Sequence, residues 1–370
     1  MKKLRVGIIG CGAIANHKHG PSLMAVKDQC ELVAFCDLIE EKAIAMANKF
    51  GTPEAKIYID YKQLLDNQDV DIVHVCTPNI SHSMITVDAL DAGKHTFCEK
   101  PMAISAVEAK KMVDAWKRSG KKFSIGYQNR FRPEVQVLKK CCVAGDLGEI
   151  YYGKAYAVRR RAVPNWGVFM DKAKQGGGPL IDIGGHALDL TLWMMNNYEP
   201  IRVTGATFYK LGTKPEAIDG NMWGPWDYKN YEVEDSAMGF IKMKDGAAVN
   251  LEASWALNIL DSREASTTVC GTKAGAEIRS GMGYPVDQLI INRGKAGVLM
   301  EETLTSKGNV AYFEGVNVPP GIAEARQWLK AIREDTQPTV EPQQAFVVTQ
   351  ILDAIYQSAQ TGCEIVTQNN

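Results

Sequence analysis

Residues able to move a proton cluster in the stretch Gly176-Gly177-Gly178-Pro179-Leu180-Ile181-Asp182-Ile183-Gly184-Gly185-His186-Ala187-Leu188-Asp189-Leu190. A helix starting after Pro179 sets Asp182, His186, Asp189 and Trp193 at i, i+4, i+7 and i+11, one stripe among apolar neighbours. A histidine beside a carboxylate is the material of acid–base catalysis. Taken alone, the pattern favours a buried histidine satisfied by a carboxylate one turn away, so the rest of the chain must decide. Two adjacent glycines inside the same helix cost roughly 1 kcal/mol each relative to alanine, which predicts a close approach of some backbone there.

A second set of polar residues lies where strands end. Lys3 to Ile9 reads as a buried strand delivering the chain into Gly10-Cys11-Gly12-Ala13-Ile14-Ala15. This is a G-x-G-x-x-A fingerprint, whose glycines permit a tight turn and bring backbone N–H groups to a pyrophosphate at a helix N-terminus. The next strand, Glu31 to Cys36, ends in Asp37, at about the 20-residue distance expected of the carboxylate that accepts the ribose hydroxyls. Leu38 and Ile39 follow, with no Arg or Lys to receive a 2′-phosphate, so the cofactor expected is NAD rather than NADP. Asp37 also suits the cap of a helix starting near Glu40.

These residues need a scaffold of alternating elements. Helices over 43–50, 81–92 and 105–119 alternate with strands over 56–59, 70–76, 95–98 and 123–127. Such alternation makes a doubly wound parallel sheet, an α/β Rossmann fold that binds ligands beyond the carboxyl ends of its strands. Those ends carry Gly10 to Ala15, Asp37, Thr77 to His82, Glu99-Lys100-Pro101 and Gln128-Asn129-Arg130. The candidate cofactor contacts are accordingly Gly10, Gly12, Ala13, Ile14, Asp37, Thr77, Asn79, His82, Glu99, Lys100 and Asn129. Lys100 points into the crevice beside the reacting carbon, with Glu99 as its salt-bridge partner or a ligand on the nicotinamide side, and Pro101 restricts the Lys100 backbone. A solvated lysine at a strand-ending turn is the plainer alternative.

From Pro133 the rhythm changes. A helix over 133–144 and a strand over 148–161 lead into extended segments over 202–209, 236–243, 247–255, 264–270, 276–278, 288–292 and 298–304, and two helices, 322–334 and 343–360, close the chain. Strands in succession predict a C-terminal α+β domain with a large, mostly antiparallel open sheet, whose free face suits a partner subunit. The expected division is 1–130 and 131–370. Gly212 to Lys229, rich in Gly, Pro and aromatics, reads as an ordered lid or subunit contact.

Composition bounds the partners. A length of 370 residues suits two domains, and a net charge of −1 with interleaved signs leaves no electrostatic footprint for nucleic acid or an anionic membrane. No leader-like h-region and no apolar run of the ~18 residues a membrane span needs is found, so a soluble cytoplasmic protein is expected. The nine cysteines lack C-x-x-C spacing, and Cys36, Cys76 and Cys98 sit inside apolar runs, which suits buried thiols rather than disulfides or zinc. Asp182 and His186 taken as metal ligands lack an evident third, so no metal is expected.

The chain resembles the Gfo/Idh/MocA family, through Gly10-x-Gly12-x-x-Ala15, Thr77-Pro78-Asn79-x-x-His82, Glu99-Lys100-Pro101 and the Gly176 to Asp189 stretch. The resemblance covers essentially the whole length. It implies a Rossmann domain joined to an α/β domain, an active site between them, and homodimers or homotetramers formed through the open sheet. It also implies that Lys100, Asp182 and His186 match the family's catalytic positions.

Chemistry then suggests roles. A secondary alcohol loses its hydroxyl proton as its hydride passes to nicotinamide C4; His186 is the natural base, Asp182 or else Asp189 holds its tautomer, and Lys100 stabilises the alkoxide or itself carries the proton. Substrate contacts are expected from Lys100, Arg130, one or more of Arg159 to Arg161, Asn165, Trp166, Asp182, His186 and Tyr284. The expected function is NAD-dependent oxidation of a ring hydroxyl of a sugar, glycoside or cyclitol, with oxidation at C3 of a glucoside favoured. The alternatives are an inositol dehydrogenase, a glycosidase working by oxidation and elimination with tightly bound NAD, and a non-catalytic cofactor-sensing regulator.

Overall fold

The computed structural model describes residues 2–217, 219–281, 287–305 and 318–367. The chain opens with β1 (Leu4–Ile9), α1 (Gly20–Met24), β2 (Cys30–Cys36), α2 (Glu40–Phe50), β3 (Lys56–Tyr58), α3 (Tyr61–Asp66), β4 (Ile72–Val75), α4 (His82–Asp91), β5 (His95–Cys98), α5 (Ala106–Ser119) and β6 (Phe123–Ile125). The six strands pair in parallel in the order β3-β2-β1-β4-β5-β6. Sequence order reverses between β1 and β4, which opens a crevice at their carboxyl ends. Local signals delimit the helices. At α5, the Ser105 hydroxyl accepts the Glu108 N–H at 3.3 Å and Gly120, at φ 66°, closes the other end.

The chain continues through α6 (Pro133–Ala144), β7 (Ile150–Val158), α7 (Lys172–Gln175), α8 (Gly185–Met195), β8 (Pro200–Phe208), β9 (Ser236–Met243), β10 (Ala248–Ser254), β11 (Arg263–Gly271), β12 (Ala274–Arg279), β13 (Gln288–Lys295) and β14 (Val298–Thr305). It ends with α9 (Pro320–Arg333), α10 (Pro342–Thr361) and β15 (Ile365–Val366). The second sheet runs β14-β13-β12-β11-β7-β10-β9-β8-β15, antiparallel except for the β7–β10 pair. Its inner face is Val249, Leu251, Ala253, Ile241 and Ala276, all buried. Helices α6 and α8 bring Val135, Leu138, Leu190 and Trp193 onto Val269, Ile278 and Leu289. The outer face of β7, β9 and β10 shows Tyr152, Tyr156, Met238 and Phe240 among polar residues.

The two compact units are not two consecutive stretches. Residues 1–131 cluster with 318–346, and residues 132–317 with 347–370. The expectation of one continuous segment from 131 is therefore corrected, for a packing reason. Trp328 and Leu329 of α9 sit in the core of Val6, Ile8, Phe35 and Phe97. Among the described residues, no helix is long and apolar enough to cross a membrane.

Candidate active site

In the first unit, the turn after β1 has the shape of a phosphate cradle. Gly10 has φ 92°, and a β-carbon there would lie 2.7 Å from the Cys76 carbonyl, so no other residue fits. A β-carbon on Gly12 would meet nothing within 4 Å, leaving that backbone open to a ligand. The helix that follows starts at Ala13 and Ile14 and is wound as a π turn over Ala15–His19 before α1. Asp37, half-buried at the end of β2, accepts the Cys11 N–H at 2.8 Å and the Ile39 N–H at 2.9 Å. The Asn16 amide, unmarked by the sequence reading, donates to the carbonyls of Cys11 and Gly12 at 3.0 Å each. These features fit a dinucleotide: Gly10, Gly12, Ala13 and Ile14 at the pyrophosphate and Asp37 at the ribose.

Three residues expected at the ligand serve the scaffold instead. His82 is buried, its Nδ1 2.7 Å from the Pro101 carbonyl and its Nε2 2.8 Å from the Thr77 carbonyl. It joins two crevice loops, and burial holds its pKa below the ordinary value although both carbonyls oppose the shift. Arg130 is wholly buried, and its Nη1 donates to the Thr339 carbonyl at 2.8 Å and Gln344 Oε1 at 2.6 Å, which ties down the returning segment. Glu99 turns inward, where Lys18 Nζ lies 2.6 Å and His19 Nε2 2.8 Å from its Oε1, and it meets Lys100 through the backbone N–H, at 3.1 Å. Burial alone would raise the Glu99 pKa, but Lys18 and His19 outweigh it and hold the carboxyl well below the usual range. Lys18 also bridges to Glu324 at 2.9 Å, and His19 Nδ1 lies 2.8 Å from His74 Nδ1. A buried ionic cluster thus underlies the strand end that presents Lys100, which is half-buried and followed by a cis peptide bond to Pro101. Thr77 Oγ1 accepts from Ser81 at 2.8 Å, Asn79 begins a 3₁₀ turn, and Asn129 lies half-buried in another.

In the second unit, the expected regular helix is corrected in its first turn. Leu180–Gly184 is a π turn that runs on into α8, so Asp182 is displaced from the α-helical stripe. From Gly177 to Met194 every residue is buried except Asp182 and His186. Asp189, at 1% exposure, is packed inside, which separates it from Asp182 as a partner for chemistry. Asp182 Oδ2 accepts the Trp255 Nε1–H at 3.1 Å. Buried Glu234 caps the start of the helix, accepting the N–H groups of Gly178 at 2.9 Å and Leu180 at 3.1 Å and the Tyr356 hydroxyl at 2.8 Å. A β-carbon on Gly178 would overlap the Glu234 carbonyl oxygen. At Gly184 the close approach is to Ala253 of β10, where a β-carbon would lie 3.0 Å away, so that glycine serves packing against the sheet.

The remaining substrate candidates are partly engaged. Arg159 forks onto Glu264 at 2.5 and 3.0 Å and stacks 5.2 Å over Trp223, so its donors face a protein carboxylate. The Asn165 amide donates to the carbonyls of Trp223 and Pro225, pinning the loop. Trp166 keeps 45% of its surface exposed. Arg161 donates to Asn258 and Arg160 is exposed, while Tyr284 lies outside the described residues. Within the expected Gly212 to Lys229 loop, Trp226 is buried with its Nε1 donating to the Gly212 carbonyl at 2.7 Å, and Asn221 brackets Val163.

Comparison with known proteins agrees with this geometry. The family model for the oxidoreductase family with an NAD-binding Rossmann fold matches residues 4–127, and that for the GFO/IDH/MocA C-terminal domain matches residues 135–277. The D-glucoside 3-dehydrogenase of Escherichia coli K12 is 34% identical over 362 residues, 98% of this chain and 97% of that protein. The chain belongs to the GFO/IDH/MocA family. Inositol 2-dehydrogenase of Salmonella typhimurium LT2 is 30% identical over 204 residues, 54% of this chain and 57% of that one. The solved structure of levoglucosan dehydrogenase in complex with NADH shares the fold, with a TM-score of 0.83 at 24% identity over 99% of both chains. As a GFO/IDH/MocA protein the chain is an NAD-binding oxidoreductase acting on CH–OH groups.

Sequence reasoning had missed Asn16, Lys18, Glu234 and Trp255. Asn16, four residues after Gly12, had a local signal, since a side chain one helical turn on can reach back to a loop carbonyl. Glu234 and Trp255 act across more than 50 residues of chain and had none.

Proposed function

We propose that the protein oxidises the C3 hydroxyl of a glucoside with NAD. The reaction rests on one observation: Asp182 and His186 are the two residues left partly accessible in an otherwise buried helix start. The substrate class rests on the full-length likeness to D-glucoside 3-dehydrogenase.

The chemistry contributed by bound NAD is hydride acceptance from the carbinol carbon. His186 takes the hydroxyl proton, so that hydride loss leaves a neutral ketone. Asp182, anchored by Trp255, orients His186 and offsets the imidazolium charge. Lys100 donates to the same oxygen and stabilises the alkoxide character that builds as the proton leaves. Asp37 accepts the adenosine ribose hydroxyls, and the Gly10 to Ile14 backbone holds the pyrophosphate.

The nine free thiols, five of them buried, suit a reducing cytoplasm. Self-association through the outer sheet face, with Tyr152, Tyr156, Met238 and Phe240 at its centre, is the assembly this reading favours.

The test is a panel of glucosides, aldoses and inositols assayed for NADH and NADPH formation and for aglycone release without added NAD. A 3-keto glucoside formed with NADH is the expected product. Inositol-only turnover would replace the substrate class. Aglycone release without net NADH would replace the reaction.

A further inference from the structure

In the second unit, four aromatic rings form a continuous ladder leading away from Asp182. Trp255, wholly buried and bonded to Asp182, meets Phe169 edge to face at 6.2 Å; Phe169 meets Trp166 at 5.9 Å, and Trp166 meets Trp223 at 4.9 Å, all near perpendicular. Exposure rises from 0% at Trp255 through half-buried Phe169 to 45% at Trp166, and Trp223 beyond it is again half-buried. The last rung, Trp223, is held on two sides. Arg159, fixed by its fork on Glu264, stacks against Trp223, and the Trp223 carbonyl is anchored by Asn165.

A half-exposed tryptophan on so constrained a support is a preorganised stacking surface, because little conformational freedom remains to be lost when a ring is laid on it. Resting on the glucoside reading above, we propose that Trp166 and Trp223 form a subsite for a neutral ring attached at C1 of the substrate, an aryl group or a second sugar. The anomeric carbon lies two bonds from C3. A ring on C1 and a reacting C3 hydroxyl can therefore be held by neighbouring parts of one ladder, the hydroxyl at the Asp182 end and the ring at the Trp166 end. Uncharged rings are favoured over acidic ones, since the Arg159 guanidinium behind Trp223 is already neutralised by Glu264.

The test compares methyl, phenyl and glucosyl (cellobiose) β-D-glucosides by calorimetry with NADH present, where no net oxidation proceeds. Phenyl glucoside, cellobiose or both should bind about tenfold more tightly than methyl glucoside, and whichever does identifies the ring. Trp166→Ala should bring the ratio near one, and Trp166→Phe should keep most of it; if Trp166→Ala does not fold, Trp223→Ala takes its place. Equal affinities in the wild-type protein, or a ratio unmoved by these substitutions, overturn the subsite. Because binding is read without turnover, the ratio stands or falls separately from glucoside oxidation, which fails only if no glucoside reduces NAD.

Discussion

Glu234 holds Gly178 by its backbone N–H at 2.9 Å, 56 residues away along the chain, and so fixes where the helix bearing Asp182 and His186 begins. The same carboxyl takes Leu180 and Tyr356. Burial raises its pKa although the three donors oppose that shift. In Glu234→Ala these buried donors lose their acceptor, at about 1–3 kcal/mol for each group left unsatisfied. Melting should fall on the order of 5–15 °C, and kcat should fall with it as the helix start loosens. A melting temperature within about 2 °C of wild type would remove the capping role.

Lys100→Met and His186→Ala should each lower kcat/KM by roughly 10²–10⁴-fold, with circular dichroism unchanged. Near-normal NADH production in both variants would sink the assignment of these residues.

Asp37→Ala should raise the KM for NAD and lessen discrimination against NADP, because the carboxylate that would repel a 2′-phosphate is gone. The Cys11 N–H also loses its acceptor, so some loss of NAD affinity is expected on structural grounds alone. The informative quantity is the NAD to NADP ratio of kcat/KM; an unchanged ratio places the ribose elsewhere.

Trp255→Phe keeps the ring in the ladder and removes the indole N–H that donates to Asp182 Oδ2. A hydrogen bond to a charged group contributes about 1.5–3 kcal/mol, so kcat should drop on the order of tenfold while the KM for NAD stays constant. A rise in that KM with unchanged kcat would contradict a role in positioning Asp182.

Glu324 should impart a pH dependence to stability. Burial pushes its pKa up to about 7, with Lys18 opposing and Glu99 reinforcing the shift, against about 4.3 in an unfolded chain. Folding therefore favours the protonated acid, whose contribution is whole below the unfolded value and is lost as pH rises through about 7. Neighbouring His19 and His74, both lowered by burial, and Glu99, held down by Lys18 and His19 against its burial, change in the opposite sense. The reading is thus a difference: the melting temperature of Glu324→Gln should gain on wild type as pH rises from about 5 to 8. A constant offset would show that Glu324 stays ionised throughout.

Much of the first sheet was legible because its signals are local. Buried apolar runs ending in glycine or a carboxylate mark β1 and β2, and Gly10 and Asp37 follow from spacing alone. Side-chain direction was not legible. Glu99 and His82 have the chemistry of cofactor ligands, yet they point at Lys18 and at two carbonyls, because a strand end offers two faces and residue type does not choose between them. Arg130 was misread for a related reason, since its acceptors at Thr339 and Gln344 lie more than 200 residues on. Asp182 was favoured over Asp189 as the partner of His186, and burial separates the two, Asp189 being packed inside.

The return of residues 318–346 to the first unit bears on how the protein is made. Domains commonly fold in the order in which they leave the ribosome. Here the β-sheet that holds the dinucleotide is translated first and completed late. Trp328 and Leu329, which fill its core, and the Thr339 and Val340 carbonyls, which receive Arg130 and Ser124, emerge only after β7 to β14, eight of the nine strands of the second sheet, have been synthesised. The nascent nucleotide-binding half must wait, its core open on one side, until residues 318–346 have been translated.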